Sequence, residues 1–185
     1  MESVINKEVD EYHIVKRKNK SKRQIVVLGD SMTKNIDKYK IKNKLRNNEN
    51  IYIKSFPGAN ISDMHDYCRP SKKHSPDVFI LHVGTNDLRD IKTPDEIAND
   101  IIKLAGDLKS DVNEVIISGI ITRSDKLNTK GENVNLLLSS KCSDNGIGFI
   151  DNSDINTSHL NNSGIHLNQN GTIKLARNFL SAINL

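Results

Sequence analysis

Tryptophan is absent from these 185 residues, and aromatic side chains make up only 4% of them. Any core must therefore be built from aliphatic groups, which the 36% hydrophobic content of the chain is sufficient to supply. Cysteine is limited to Cys68 and Cys142, too far apart in sequence to form a metal-ligand pair or a disulfide framework, which suits a reducing compartment. Long apolar runs are missing, so neither a signal peptide nor a membrane span is expected, and cytosol or nucleus follows. The histidines His13, His65, His74, His82, His159 and His166 show no spacing with carboxylates that a hydrolytic zinc requires, so no metal or other cofactor is expected.

Charge is unevenly spread. Six of the eight residues at 16–23 are basic and none is acidic, which exceeds the whole net charge of +4. A run of this kind binds phosphate-rich surfaces by counterion release, so nucleic acid or an acidic membrane is its natural partner; a solvated linker is the plainer alternative. Residues 1–23 read as a flexible basic tail, with a weak amphipathic pattern through Val4, Ile5, Val9, Tyr12 and Val15. Residues 24–185 read as one domain.

Within that domain, residues 24–28 are a strand that runs into Gly29-Asp30-Ser31, a turn suited to starting a helix. Further strands are predicted at 51–56, 77–84, 115–121 and 147–150. Helical patterns fill the intervals: short pieces at 31–38 and 41–47, then 61–67, 94–108, 134–144 and 172–183. Strands that alternate with helices, with no internal repeat, make a three-layer α/β/α sandwich on a five-stranded, mainly parallel sheet.

In such a sheet the loops that leave the carboxyl ends of the strands lie along one edge, where ligands bind. Those loops carry Ser31, Gly58, Asn86 and His166. Each has an ordinary reading as a cap, a turn residue or a surface group; their joint occurrence is what points to chemistry. Acyl transfer by serine needs a base and a set of donors for the developing oxyanion. His166 is the candidate base for Ser31. The Ser31 N–H, the Gly58 N–H in a turn that a side chain would obstruct, and the Asn86 amide are the candidate donors. His82, inside the third strand, reads as a packed and hydrogen-bonded side chain.

Ser31 in Gly-Asp-Ser, Gly58, Asn86 in Gly-Thr-Asn-Asp and His166 in Gly-Ile-His-Leu-Asn together resemble the SGNH (GDSL-type) hydrolase superfamily. The resemblance runs from about residue 24 to the C-terminus. It implies a flavodoxin-like sheet, esterase or acyl-hydrolase activity, and a small acyl-ester or lipid substrate. More narrowly, residues 81–88 and the lysine-rich lead resemble the esterase-like domains of animal retrotransposon proteins, where such a domain accompanies nucleic-acid binding. One position departs from the superfamily, which carries aspartate three residues before its histidine; here Ser163 stands there. The Ser163 hydroxyl, a backbone carbonyl, Asp151 or Asp154 are the groups available to orient His166 instead. The sequence therefore implies a Ser31–His166 dyad with weakened activity, or a catalytically impaired module that acts through its basic segment.

Overall fold

The computed structural model describes residues 22–73 and 75–184, so the basic run and the amphipathic pattern ahead of it lie outside the described residues, except for Lys22 and Arg23. Five strands, β1 (Arg23–Gly29), β2 (Glu49–Ser55), β3 (Val78–His82), β4 (Glu114–Ser118) and β5 (Gly148–Ile150), form one sheet in the order β2-β1-β3-β4-β5. Every pairing is parallel. The expected α/β/α architecture is the one found. Five helices accompany the sheet: α1 (Lys38–Lys42), α2 (Ile61–Lys72), α3 (Pro94–Lys109), α4 (Asn128–Asp144) and α5 (Gln169–Ile183).

Alternation along the strands divides the core into two layers. Val26, Leu28, Phe79, Leu81, Val115 and Ile117 face α2, α3 and α4. Ile25, Val27, Val78, Ile80, Ile116 and Ile150 face α1 and α5. Strands buried on both faces explain why β1 and β3 read as unbroken apolar runs. No helix among the described residues is long and apolar enough to cross a membrane.

Several boundaries move from their sequence-based positions. Helix α2 runs past residue 67 and through Pro70, because Ile61, Met64, Cys68 and Ser71 continue one buried face and that packing outweighs the proline. Helix α4 starts six residues early, at Asn128, where polar residues and Gly131 hid its first turns. The apolar run at 115–121 leaves the sheet after Ser118: Gly119 N–H still bonds Ile150 O at 3.0 Å, but Ile120 N–H turns to Asn135 Oδ1 at 2.8 Å. Arg23, read as the end of the basic run, opens β1 and donates to Glu49, Glu114 and the Ile183 carbonyl.

The register sets the site. Gly29 pairs with both Ser55 and His82, so β1, β2 and β3 end level and their outgoing loops emerge together.

Candidate active site

The turn that carries Ser31 is fixed first. Asp30 caps the 3-10 turn Ser31–Thr33 by accepting from Met32 N–H at 2.9 Å, while its own N–H bonds His82 O at 3.2 Å. Ser31 is therefore held at a helical turn on the edge of the central strands, half-buried, with its hydroxyl bonded to no protein group among the described residues.

Gly58 and Asn86 are brought to one another. Gly58 has φ +84°, and Asn86 Nδ2 donates to the carbonyl of its neighbour Ala59 at 2.8 Å. The next residue, Asp87, accepts from Ile61 N–H at 3.1 and 3.2 Å, so the Asn86-Asp87 pair grips the turn ahead of α2 at two points. An amide carries two N–H bonds, and only one on Asn86 is used by a group among the described residues. The expected reason for glycine at 58 needs correcting. Nothing lies within 4 Å of where its Cβ would be, so space is open, and the positive φ is what favours glycine.

His166 sits at the end of a small hairpin. Leu160 and Leu167 form an antiparallel bridge, and Asn161 N–H donates to His166 O at 2.7 Å. Asn168 locks the hairpin to α5: its Nδ2 donates to the Ser158 and Leu160 carbonyls, and its Oδ1 caps Gly171 N–H at 3.0 Å. Gly171 lies so close that an added Cβ would stand 2.3 Å from His159 O. The His-Leu-Asn-x-x-Gly phrase is thus an anchoring device for the ring ahead of it.

Ser31 and His166 line one pocket of about 330 Å³, with Pro57, Asn161 and Thr172 among its walls. They are not directly hydrogen-bonded. Gly58 and Asn86 are outside its lining, although Pro57 joins Gly58 to it. None of the groups expected to orient His166 bonds its ring. Ser163 Oγ donates to Asn161 Oδ1 at 2.6 Å, Asp151 accepts from Ser153, and Asp154 holds Lys174 and Asn178. Among the described residues no other group bonds that ring either.

Residues 27–172 match the model of the GDSL-like lipase/acylhydrolase family. The chain belongs to that family. Solved structures agree on the fold. An acetylxylan esterase from Geobacillus stearothermophilus, crystallised as a catalytic mutant, is 15% identical at a TM-score of 0.73, over 89% of this chain and 95% of that one. A lipolytic G-D-S-L family member from Veillonella parvula is 19% identical at a TM-score of 0.74, over 88% and 98%. A GDSL-like lipase from Bacteroides thetaiotaomicron is 15% identical at 0.73, over 88% of each chain. No curated protein sequence matches.

Around Asp30, next to Ser31, this GDSL-family chain carries a buried polar cluster that sequence reasoning only touched. His82 Nδ1 lies 2.9 Å from Ser118 Oγ, which accepts from Asn152 Nδ2 at 2.8 Å, and the ring packs edge-on to Phe179. So His82 is packed and hydrogen-bonded, as its place in the strand suggested. Asp30 Oδ2 and His82 Nε2 are buried without a hydrogen-bond partner among the described residues. Burial pushes the Asp30 carboxyl above its ordinary range, against the opposing pull of His82, the Met32 N–H, His166 and Arg123. Burial likewise lowers the His82 ring, against the pull of Asp30. Arg123, 3% exposed and paired with Asp125, belongs to the same neighbourhood; its only signal in the sequence is its place just beyond the fourth strand.

These shifts predict a pH signature. Because folding keeps His82 neutral, the unfolded chain takes up a proton below its ordinary value of 6.5 that the folded chain refuses. His82 therefore costs stability as pH falls through that range. Asp30 acts with the opposite sign, costing stability as pH rises above its ordinary 3.8. The expected result is that His82→Gln flattens the fall in melting temperature between about pH 7 and pH 5. A slope equal to that of the wild type would contradict a ring held neutral.

Proposed function

We propose that this chain is a serine carboxylic-ester hydrolase working through a Ser31–His166 dyad. Ser31 Oγ attacks the ester carbonyl as His166 takes its proton. The oxyanion is met by the Ser31 and Gly58 N–H groups and the free N–H of Asn86. Collapse expels the alkoxide, which His166 protonates, and leaves an acyl-Ser31 ester. Water, deprotonated by His166, then attacks that ester and releases the carboxylic acid and free Ser31. The observation that carries this reading is the pocket that Ser31 and His166 share on the sheet edge where Gly58 and Asn86 also emerge. The family match and the esterase neighbours support the reaction class.

A serine hydrolase stripped of its nucleophile loses about 10⁶ in turnover, and one stripped of its carboxylate alone loses about 10⁴. With no carboxylate on His166, this chain stands about 10² above the serine-less background. Turnover of para-nitrophenyl acetate by Ser31→Ala is thus expected to fall by about that factor with the melting temperature unchanged. Equal rates in the two proteins would remove the proposal.

The narrower likeness to retrotransposon esterase-like domains supports a second role, on the strength of the six cations at 16–23. In that role the basic segment holds nucleic acid or an acidic membrane while the folded domain acts on esters, with affinity that falls as salt is added.

A further inference from the structure

The pocket at Ser31 does not end at His166. A second, larger groove of about 550 Å³ lies between α1 and α5, and Asn35, Leu167 and Thr172 line both. The two adjoin through these three shared residues, the larger lying on the side of His166 away from Pro57. Its walls are sorted by chemistry. Ile41, Leu167, Ile173, Ala176 and Leu180 supply an apolar floor. Lys40, Lys44 and Arg177 stand exposed on the rim, with Asp37 the one acid. Asp37 is already engaged: its Oδ1 caps α1 through the Tyr39 and Lys40 N–H groups, and its Oδ2 lies 3.8 Å from Lys40 Nζ. Lys44 and Arg177 form no ion pair among the described residues, and Lys34 adds a further cation at the Ser31 end.

The reaction decides which half of a substrate this groove receives. The carbonyl oxygen must face the donors at Gly58 and Asn86, beyond β1 toward β2 and β3. The departing oxygen must face His166, since the imidazole gives it its proton. The groove begins at Leu167, on the leaving-group side. Resting on the esterase reading above, we propose that it binds the leaving group of the ester, and that this leaving group is an alcohol with a short apolar segment ending in a phosphate. The apolar segment covers Ile41, Ile173, Ala176 and Leu180, and the phosphate lies among Lys40, Lys44 and Arg177. The same rim charge repels the basic run at 16–23, so the groove is not the seat of that segment.

The test uses the full chain and two esters that share an acetyl group, hexyl acetate and 6-acetoxyhexyl phosphate. The expected result at low ionic strength is a kcat/KM about tenfold higher for the phosphate ester, carried by KM and eroded by salt. The triple variant Lys40→Gln, Lys44→Gln, Arg177→Gln brings the ratio of the two esters close to one. An equal charge loss in the layer of α2, α3 and α4, made as Lys73→Gln, Lys103→Gln, Lys126→Gln, keeps the preference. Equal turnover of both esters by the wild type overturns the groove and leaves the esterase reading standing. If neither ester is turned over, the esterase reading fails, and hexyl phosphate judges the groove alone by calorimetric titration. Saturable binding that the groove variant loses supports the site; no saturable binding, or binding the variant retains, overturns it.

Discussion

Ser163→Asp is expected to raise turnover of short acyl esters at least tenfold, toward a ceiling of about 10⁴ set by what serine proteases lose when the equivalent carboxylate goes. The reason is local. A dyad histidine without a partner samples the wrong tautomer and orientation, and its protonated form is stabilised by nothing adjacent. In this chain the ring of His166 bonds no group among the described residues, while Ser163, three residues earlier, spends its hydroxyl on Asn161. An aspartate at 163 keeps the bond from its own N–H to Asn161 Oδ1, now 3.1 Å. Its carboxylate, however, is an acceptor facing that same oxygen, and the repulsion leaves it two donors to turn to, the Ile165 N–H that now bonds Ser163 Oγ at 3.4 Å and the imidazole of His166. Steady-state kinetics of the two proteins on one ester decide it. A rate equal to the wild type would mean that His166 is already oriented when substrate is bound.

Asn86→Ala is expected to lower kcat by about 10²–10³, the cost of one oxyanion donor, with kcat/KM falling in parallel because the interaction belongs to the transition state. The same change removes the bond to Ala59 O, worth about 1 kcal/mol of stability. The two losses separate cleanly: a thermal melt reads the second and kinetics at saturating substrate read the first. Asn86→Asp, of the same size but without N–H groups and with a charge set against the oxyanion, is expected to be at least as slow. A rise in KM with kcat intact would show Asn86 to be a binding group and no part of the hole.

Much of this molecule was legible because its strands are buried on both faces. Runs such as 25–28 and 78–81 admit little else, and once the strands were in order the edge on which Ser31, Gly58, Asn86 and His166 emerge followed from parallel connectivity. What was not legible depends on contacts between residues distant in sequence. The helix predicted to end at residue 67 runs on because Cys68 and Ser71 are buried, a packing not written locally. The 115–121 run looked like one strand because nothing near it announces that Asn135 takes over the hydrogen bonding of Ile120. Asp87 carries no local sign that its carboxylate serves the first turn of α2, 26 residues earlier. The Asp30–His82 pair is a product of register alone, since only the pairing of Gly29 with His82 puts a buried carboxyl over a buried ring. At Gly58 backbone conformation, and not crowding, is what favours glycine.

The central claim is that Ser31 is an activated nucleophile, and it is tested most directly by treating the full chain with a fluorophosphonate and locating the adduct by peptide mass spectrometry. The account predicts a single phosphonyl adduct on Ser31, formed far more slowly in His166→Ala. No adduct under conditions that label a known serine esterase, or one placed on another residue with Ser31 unmodified, would contradict it.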